Sequence, residues 1–157
     1  MMILFLKSKQ DVWSYMRKIE AVRKFTFCAG HRVYGHESKC ANMHGHNYCL
    51  YVHAYTDVLD ELGRVIDFSL LKDLLDPWLQ VHWDHTFLVY ENDKELLAIE
   101  PLAPKNKPWF ICPFNPTAEN MAIYLMKEVF PKLLPDNIQI SKIELWETEN
   151  CKVVVTH

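Results

Sequence analysis

The sequence predicts an α+β fold with an antiparallel sheet, and three observations carry that prediction. Residues 24–32 and 46–56 alternate with period two, as half-buried strands do. Two later segments repeat apolar residues at helical spacing instead. The resulting order is strand, strand, helix, helix, strand, strand, and separated runs of strands and helices mark α+β rather than a parallel α/β sheet.

Taken in order, residues 1–21 hold an apolar start and a weakly amphipathic stretch and carry no identifiable chemistry; they are expected to be an N-terminal extension to a domain at 22–157. In the first strand Phe25, Phe27, Ala29 and His31 fall on one side, and Lys24, Thr26, Cys28, Gly30 and Arg32 on the other. Residues 34–43 read as a loop. The second strand, 46–56, has His46, Tyr48, Leu50, Val52 and Ala54 on one face, and both of its faces look half buried. Gly63 marks a turn, and Asp67 caps a helix with Leu70, Leu71, Leu74 and Leu75 as its apolar repeat. Pro77 is expected to interrupt that helix, with Asp76 as a fresh cap for a short second segment. Five of the eight prolines lie in 101–116, a long connection with 109–112 extended inside it. Thr117 caps a second helix whose apolar face is Met121, Ala122, Leu125, Met126, Val129 and Phe130, ended by Pro131. Strands at 138–147 and 151–156 complete the chain.

The 157 residues are half apolar and 24% charged, the balance of one globular domain. Such a chain buries roughly 68–70% of its unfolded surface, so it needs neither disulfides nor structural metal to fold. A metal here would need a functional reason. Seventeen basic against twenty acidic residues, with no Lys/Arg cluster, argue against a nucleic-acid partner. No apolar run approaches the ~20 residues of a membrane span. Lys7 and Lys9 follow the apolar start rather than precede it, the reverse of a secretory signal, and five cysteines without a CxxC pair fit a reducing compartment; a cytoplasmic protein is expected.

The histidines carry more information, because four of the eight fall within 31–46. His44 and His46, two apart at a strand mouth, send both imidazoles to one face. If the first two strands pair antiparallel, His31 joins them. Three neutral nitrogens with an open fourth position are the pattern of catalytic zinc. Cys40 is a rival fourth ligand, which would close the tetrahedron and make the site structural and inert. As a loop thiol beside Lys39 it is equally a candidate for acid–base chemistry, since neighbouring positive charge favours thiolate. Asp84-His85 sets a carboxylate beside an imidazole, although adjacent side chains often point apart. Glu147 is an acid in an otherwise apolar strand, either solvent-facing or able to take two hydrogen bonds from a planar heterocycle. Glu119 reads first as an acid favouring a helix N-terminus.

The string Phe25-Thr26-Phe27-Cys28-Ala29-Gly30-His31-Arg32, followed by Lys39-Cys40-Ala41-Asn42-Met43-His44-Gly45-His46-Asn47-Tyr48, resembles the 6-pyruvoyltetrahydropterin synthase family. Val65-Ile66-Asp67-Phe68, Trp83-Asp84-His85-Thr86-Phe87-Leu88, Pro116-Thr117-Ala118-Glu119-Asn120 and Trp146-Glu147-Thr148 look like further blocks of that family, in its order. Through Gly35-His36-Glu37-Ser38-Lys39-Cys40 and the Trp-Asp-His form, the bacterial 6-carboxytetrahydropterin branch, which serves queuosine and related deazapurines, is the nearest likeness.

The resemblance implies a tunnelling fold (T-fold): four antiparallel strands with two helices on one face, joining neighbouring chains into a barrel. A homo-oligomer built on trimers, such as a hexamer, with active sites at subunit boundaries, goes with it. It implies zinc on His31, His44 and His46, Cys40 as proton acceptor, and His85 as relay partner with Asp84 behind it. Glu147 would anchor the pterin ring, and Glu119 and Thr117 would lie on the substrate. The implied substrate is 7,8-dihydroneopterin triphosphate. Two products stay open: a 6-carboxytetrahydropterin with release of acetaldehyde, or a pterin that retains its three-carbon side chain. A non-catalytic zinc- or pterin-binding module is the alternative from another class.

Overall fold

A computed structural model describes residues 19–157, so most of the expected N-terminal extension lies outside the described residues. The first strand, β1 (Glu20–His31), begins two residues before the expected domain start and pairs antiparallel with β2 (His44–Tyr55) along its full length. Phe25, Phe27, Ala29 and His31 are all buried, as their alternation requires. Opposite them Tyr48, Leu50, Val52 and Ala54 complete one apolar face. The other face of β2 is less covered, and only His53 is buried there.

Helix α1 (Phe68–His82) starts where expected, with the Asp67 side chain accepting from the Ser69 and Leu70 amides. It does not break at Pro77, which corrects the sequence expectation. Leu71, Leu75 and Leu79 are fully buried at i, i+4 and i+8, so the stripe keeps its register through the proline. An interior proline costs ~3 kcal/mol or more; each buried leucine returns about 1.5–3 kcal/mol, enough to hold one continuous helix. The buried stripe also differs from the expected repeat, because Leu70 is 46% exposed.

Two short strands extend the sheet beyond the four expected. β3 (Thr86–Tyr90) runs parallel to β1, and β4 (Phe110–Cys112) parallel to β3. Between them Asp93 caps a short helix, α2 (Lys94–Ile99), which no periodicity announces. Helix α3 (Ala118–Tyr124), capped by Thr117, continues through a wider turn (Leu125–Val129) into a 3-10 turn (Phe130–Lys132) that includes Pro131. The chain ends in antiparallel β5 (Gln139–Thr148) and β6 (Cys151–Thr156). The sheet order is β4-β3-β1-β2-β5-β6, so the expected antiparallel quartet β1-β2-β5-β6 stands at one side of a mixed six-stranded sheet. Leucines of α1 and Met121, Ala122 and Leu125 of the α3 run join one core with Phe25, Phe27 and Leu50, which puts both long helices on the same face. Among the described residues no helix is long and apolar enough to cross a membrane.

Two tests follow from this packing. A Cβ on Gly30 would sit 2.4 Å from the Phe87 ring, which itself packs on Trp109 at 5.3 Å. Gly30→Ala is therefore expected to cost about 1–3 kcal/mol in urea denaturation, the range of an overpacked site. On the same sheet face, away from the helices, Lys152 and Lys142 reach Glu144 at 2.5 and 3.1 Å and hold its carboxyl down at about 2. The folded state binds that proton less readily than the unfolded chain. The stabilisation is thus present above the ordinary value of 4.5 and lost as pH falls from 4.5 to about 2. Denaturation of Glu144→Gln against wild type should show a gap at neutral pH that closes across that window.

Candidate metal centre and catalytic pockets

His31 ends β1, and its register partner is His44, the first residue of β2; Ala29 pairs with His46. The hairpin thus puts all three rings on one face, with centroids 4.5 to 5.2 Å apart. One ring nitrogen from each lies within 4.8 Å of the others.

The outer nitrogens decide what the inner ones can do. His31 Nδ1 lies 2.7 Å from the Pro116 carbonyl and His44 Nδ1 lies 2.7 Å from the Asn42 carbonyl. A carbonyl only accepts, so both Nδ1 atoms carry the proton and both Nε2 atoms present lone pairs. His46 Nε2 is buried without a hydrogen-bond partner. Burial holds His31 and His46 below their ordinary values, so both favour the neutral imidazole that a metal needs. The donor set fits a divalent ion with a preference for imidazole.

Glu147, in β5, faces this cluster rather than solvent. Its Oε1 lies 3.5 Å from Nε2 of both His31 and His46. Tyr48, which sequence reasoning did not single out, donates its hydroxyl to the same oxygen at 3.5 Å and lies 3.3 Å from His31 Nε2. Its alternation with His46 along β2 was the available signal. Burial, and then Glu147, push the Tyr48 phenol far up, so it stays a donor.

A cavity of about 330 Å³ opens over the cluster and is lined by His31, His44, Cys40, Thr117, Glu119 and Glu147, among others. Seven of the nine predicted site residues therefore have a place at or beside one pocket when His46 is counted through its contact with Glu147. Cys40 sits on a 3-10 turn (Lys39–Ala41) and does not join the metal cluster, which stops at three imidazoles among the described residues. Thr117 spends its hydroxyl as the helix cap, accepting from the Asn120 amide at 3.3 Å. His36, the fourth histidine of the 31–46 cluster, also lines the pocket without joining the three-imidazole group.

Asp84 and His85 are elsewhere. His85 lines a separate cleft of about 380 Å³ with Cys28, Gly30, Gly45, Asn47, Thr86 and His46, the one member of the metal cluster that reaches it. There the pair is built with care. His85 has φ +55°, a left-handed backbone uncommon for a side-chain-bearing residue. That turn brings its Nδ1 to 2.6 Å from Asp84 Oδ2, while Asp84 Oδ1 accepts from the Cys28 amide at 2.8 Å. The Asp84 carboxylate orients the ring, whose side chain is 76% exposed. Within one chain, the thiol and the imidazole–carboxylate pair occupy different clefts.

Residues 20–157 match the family described as 6-pyruvoyl tetrahydropterin synthase. The chain belongs to this family. Among relatives named 6-carboxy-5,6,7,8-tetrahydropterin synthase, that of Rickettsia typhi is 41% identical over 138 residues, 87% of this chain and 99% of its own. That of Haemophilus influenzae is 35% identical, over 80% of this chain and 90% of its own. Solved structures agree in fold. An uncharacterized protein from Wolinella succinogenes superposes with a TM-score of 0.78 at 20% identity, covering 90% of this chain and 99% of that one. The Caenorhabditis elegans 6-pyruvoyl tetrahydropterin synthase gives 0.63 at 22% identity, covering 90% and 97%. The α+β tunnelling fold expected from the sequence is the fold of this family, here with six strands rather than four. The chain is an enzyme of the pterin-synthase type, similar to the 6-carboxytetrahydropterin synthases.

Proposed function

We propose that the chain converts 7,8-dihydroneopterin triphosphate to 6-carboxy-5,6,7,8-tetrahydropterin, releasing triphosphate and acetaldehyde, in queuosine or deazapurine synthesis in the cytoplasm. The observation that carries this reading is the cluster of three imidazoles, two of them with fixed tautomers, beside a pocket that holds Cys40 and Glu147, in a chain whose relatives bear that product's name.

Zinc is the ion we assign to His31, His44 and His46, where it would supply a Lewis acid for the oxygens of the substrate side chain. Cys40, on the wall of the same pocket, takes the proton from the side-chain carbon. Glu147 accepts hydrogen bonds from the ring amide and amino group, and the Tyr48 hydroxyl steadies its carboxylate. Thr117 and Glu119 wall the substrate at the start of α3.

His85 relays the proton, oriented by Asp84. Since that pair opens into another cleft, we assign it to the site of a neighbouring protomer in a trimer-based homo-oligomer, a hexamer. The residues before Glu20, where β1 opens, serve as an extension to the catalytic domain. Incubation of the purified protein with dihydroneopterin triphosphate, read by mass spectrometry, tests the reading. A carboxylate-bearing pterin with acetaldehyde supports it. An intact three-carbon side chain on the product refutes the branch, and absence of turnover with zinc supplied refutes the activity.

A further inference from the structure

We infer that Asn115 is a positioning residue: its side-chain amide clasps the loop that carries Cys40 to the segment that orients His31, and so sets where the thiol stands relative to the imidazoles. This rests on the proposed function for the role of Cys40, though the clasp itself is independent of it.

The last rung of the β1–β2 hairpin is His31 against His44, which leaves residues 32–43 as the connecting loop. Hairpin loops are usually about 2–5 residues, and in this longer one the internal bonds and the Lys39–Ala41 turn shape the loop without fixing it against the rest of the pocket. Cys40 lies near the far end of this loop, so its position is not determined by the strands that place the histidines.

Asn115 supplies the missing restraint. Its Oδ1 accepts from the Tyr34 amide at 2.9 Å and its Nδ2 donates to the Tyr34 carbonyl at 2.8 Å. The side-chain amide thus pairs with both backbone groups of Tyr34, as a residue of a neighbouring strand would. One residue back, the Val33 amide donates to the carbonyl of Cys40 itself at 2.8 Å. The thiol-bearing residue is therefore one backbone hydrogen bond from the clasped peptide.

The other end of the clasp is equally defined. The Asn115 carbonyl accepts from Asn120 Nδ2 at 2.9 Å, which ties it to the first turn of α3. The next residue, Pro116, is the one whose carbonyl takes the His31 Nδ1 proton at 2.7 Å. Arg32 holds the neck of the loop from a different direction, through Asp93 at 2.5 and 2.6 Å, but that contact leads to α2 and not to the pocket. Asn115 alone, among the described residues, joins the Cys40 loop to the metal-orienting segment through a side chain.

The test uses the full chain as Asn115→Ala and Asn115→Asp. Aspartate keeps the acceptor for the Tyr34 amide but turns an oxygen toward the Tyr34 carbonyl, so it loses the donor half of the clasp. Misplacing a reacting group by an ångström costs on the order of 100-fold, so both variants should lower kcat about 10- to 100-fold with KM changed less than about threefold. Bound metal should match wild type, and amide exchange in 33–40 should accelerate. Unchanged exchange in that segment overturns the clasp, and kcat within about twofold of wild type overturns the positioning role. A lowered melting temperature with normal kcat also overturns it. If wild type proves inactive on the pterin, the exchange result still decides the clasp, so the two failures are distinguishable.

Discussion

Cys40→Ala is expected to leave the chain folded and loaded with metal and to lower kcat by ~10²–10⁴-fold, the usual worth of a positioned proton acceptor. Two observations separate this from the behaviour of a fourth zinc ligand. The metal cluster closes at three imidazoles without the thiol, and the turn that carries Cys40 contributes no buried residue to the core. If Cys40 were a ligand, Cys40→Ala would lose zinc together with activity. Metal analysis beside steady-state kinetics reads both at once. Cys112 provides an internal contrast: it is fully buried, and burial pushes its thiol up to about 12, so alkylation of the native protein should spare it.

His44→Ala has the second large effect, on metal retention. His44 ends the hairpin, is only half buried, and its Nδ1 is committed to the Asn42 carbonyl. Its removal takes away one of three donors and leaves the core residues in place. Loss of an outer-shell partner already costs 10- to ~100-fold in metal affinity, so loss of the ligand itself should exceed that. Titration against a chelating dye should find the affinity collapsed, with the melting temperature of the metal-free chain nearly that of metal-free wild type. Retention of tight binding would remove His44 from the metal site.

The strands that build the site were legible because alternation is a local pattern. Phe25 to His31 and Tyr48 to Ala54 are buried on the predicted face, and that alone brings His31 beside the His44-x-His46 pair. The strand mouth was misread by two residues, since β2 begins at His44 and pairs it directly with His31. What escaped was what tertiary structure decides. Pro77 argues for a helix break, yet leucines on both sides of it pack against one core. β3 is a short strand stabilised by pairing with the sheet rather than by a pattern of its own, and of β4 the extended backbone was expected but its pairing was not. The Pro116 carbonyl that fixes the His31 tautomer is backbone, and backbone leaves no residue-type signal. Asp84-His85 was readable as a pair, but its geometry depends on a positive φ that the sequence does not announce.

Cys40 and His85 open into separate clefts of one chain, and the proposed activity needs both in one site built between chains. Mixing Cys40→Ala with His85→Asn, each inactive alone, tests it most directly; asparagine is chosen because it tolerates the left-handed backbone at that position. Chains co-assembled in equal amounts in a symmetric oligomer should recover activity to about a quarter of the wild-type rate, because half the sites draw an intact thiol and half of those an intact imidazole. A mixture that stays as inactive as its components would contradict the shared site and place both functions within a single chain.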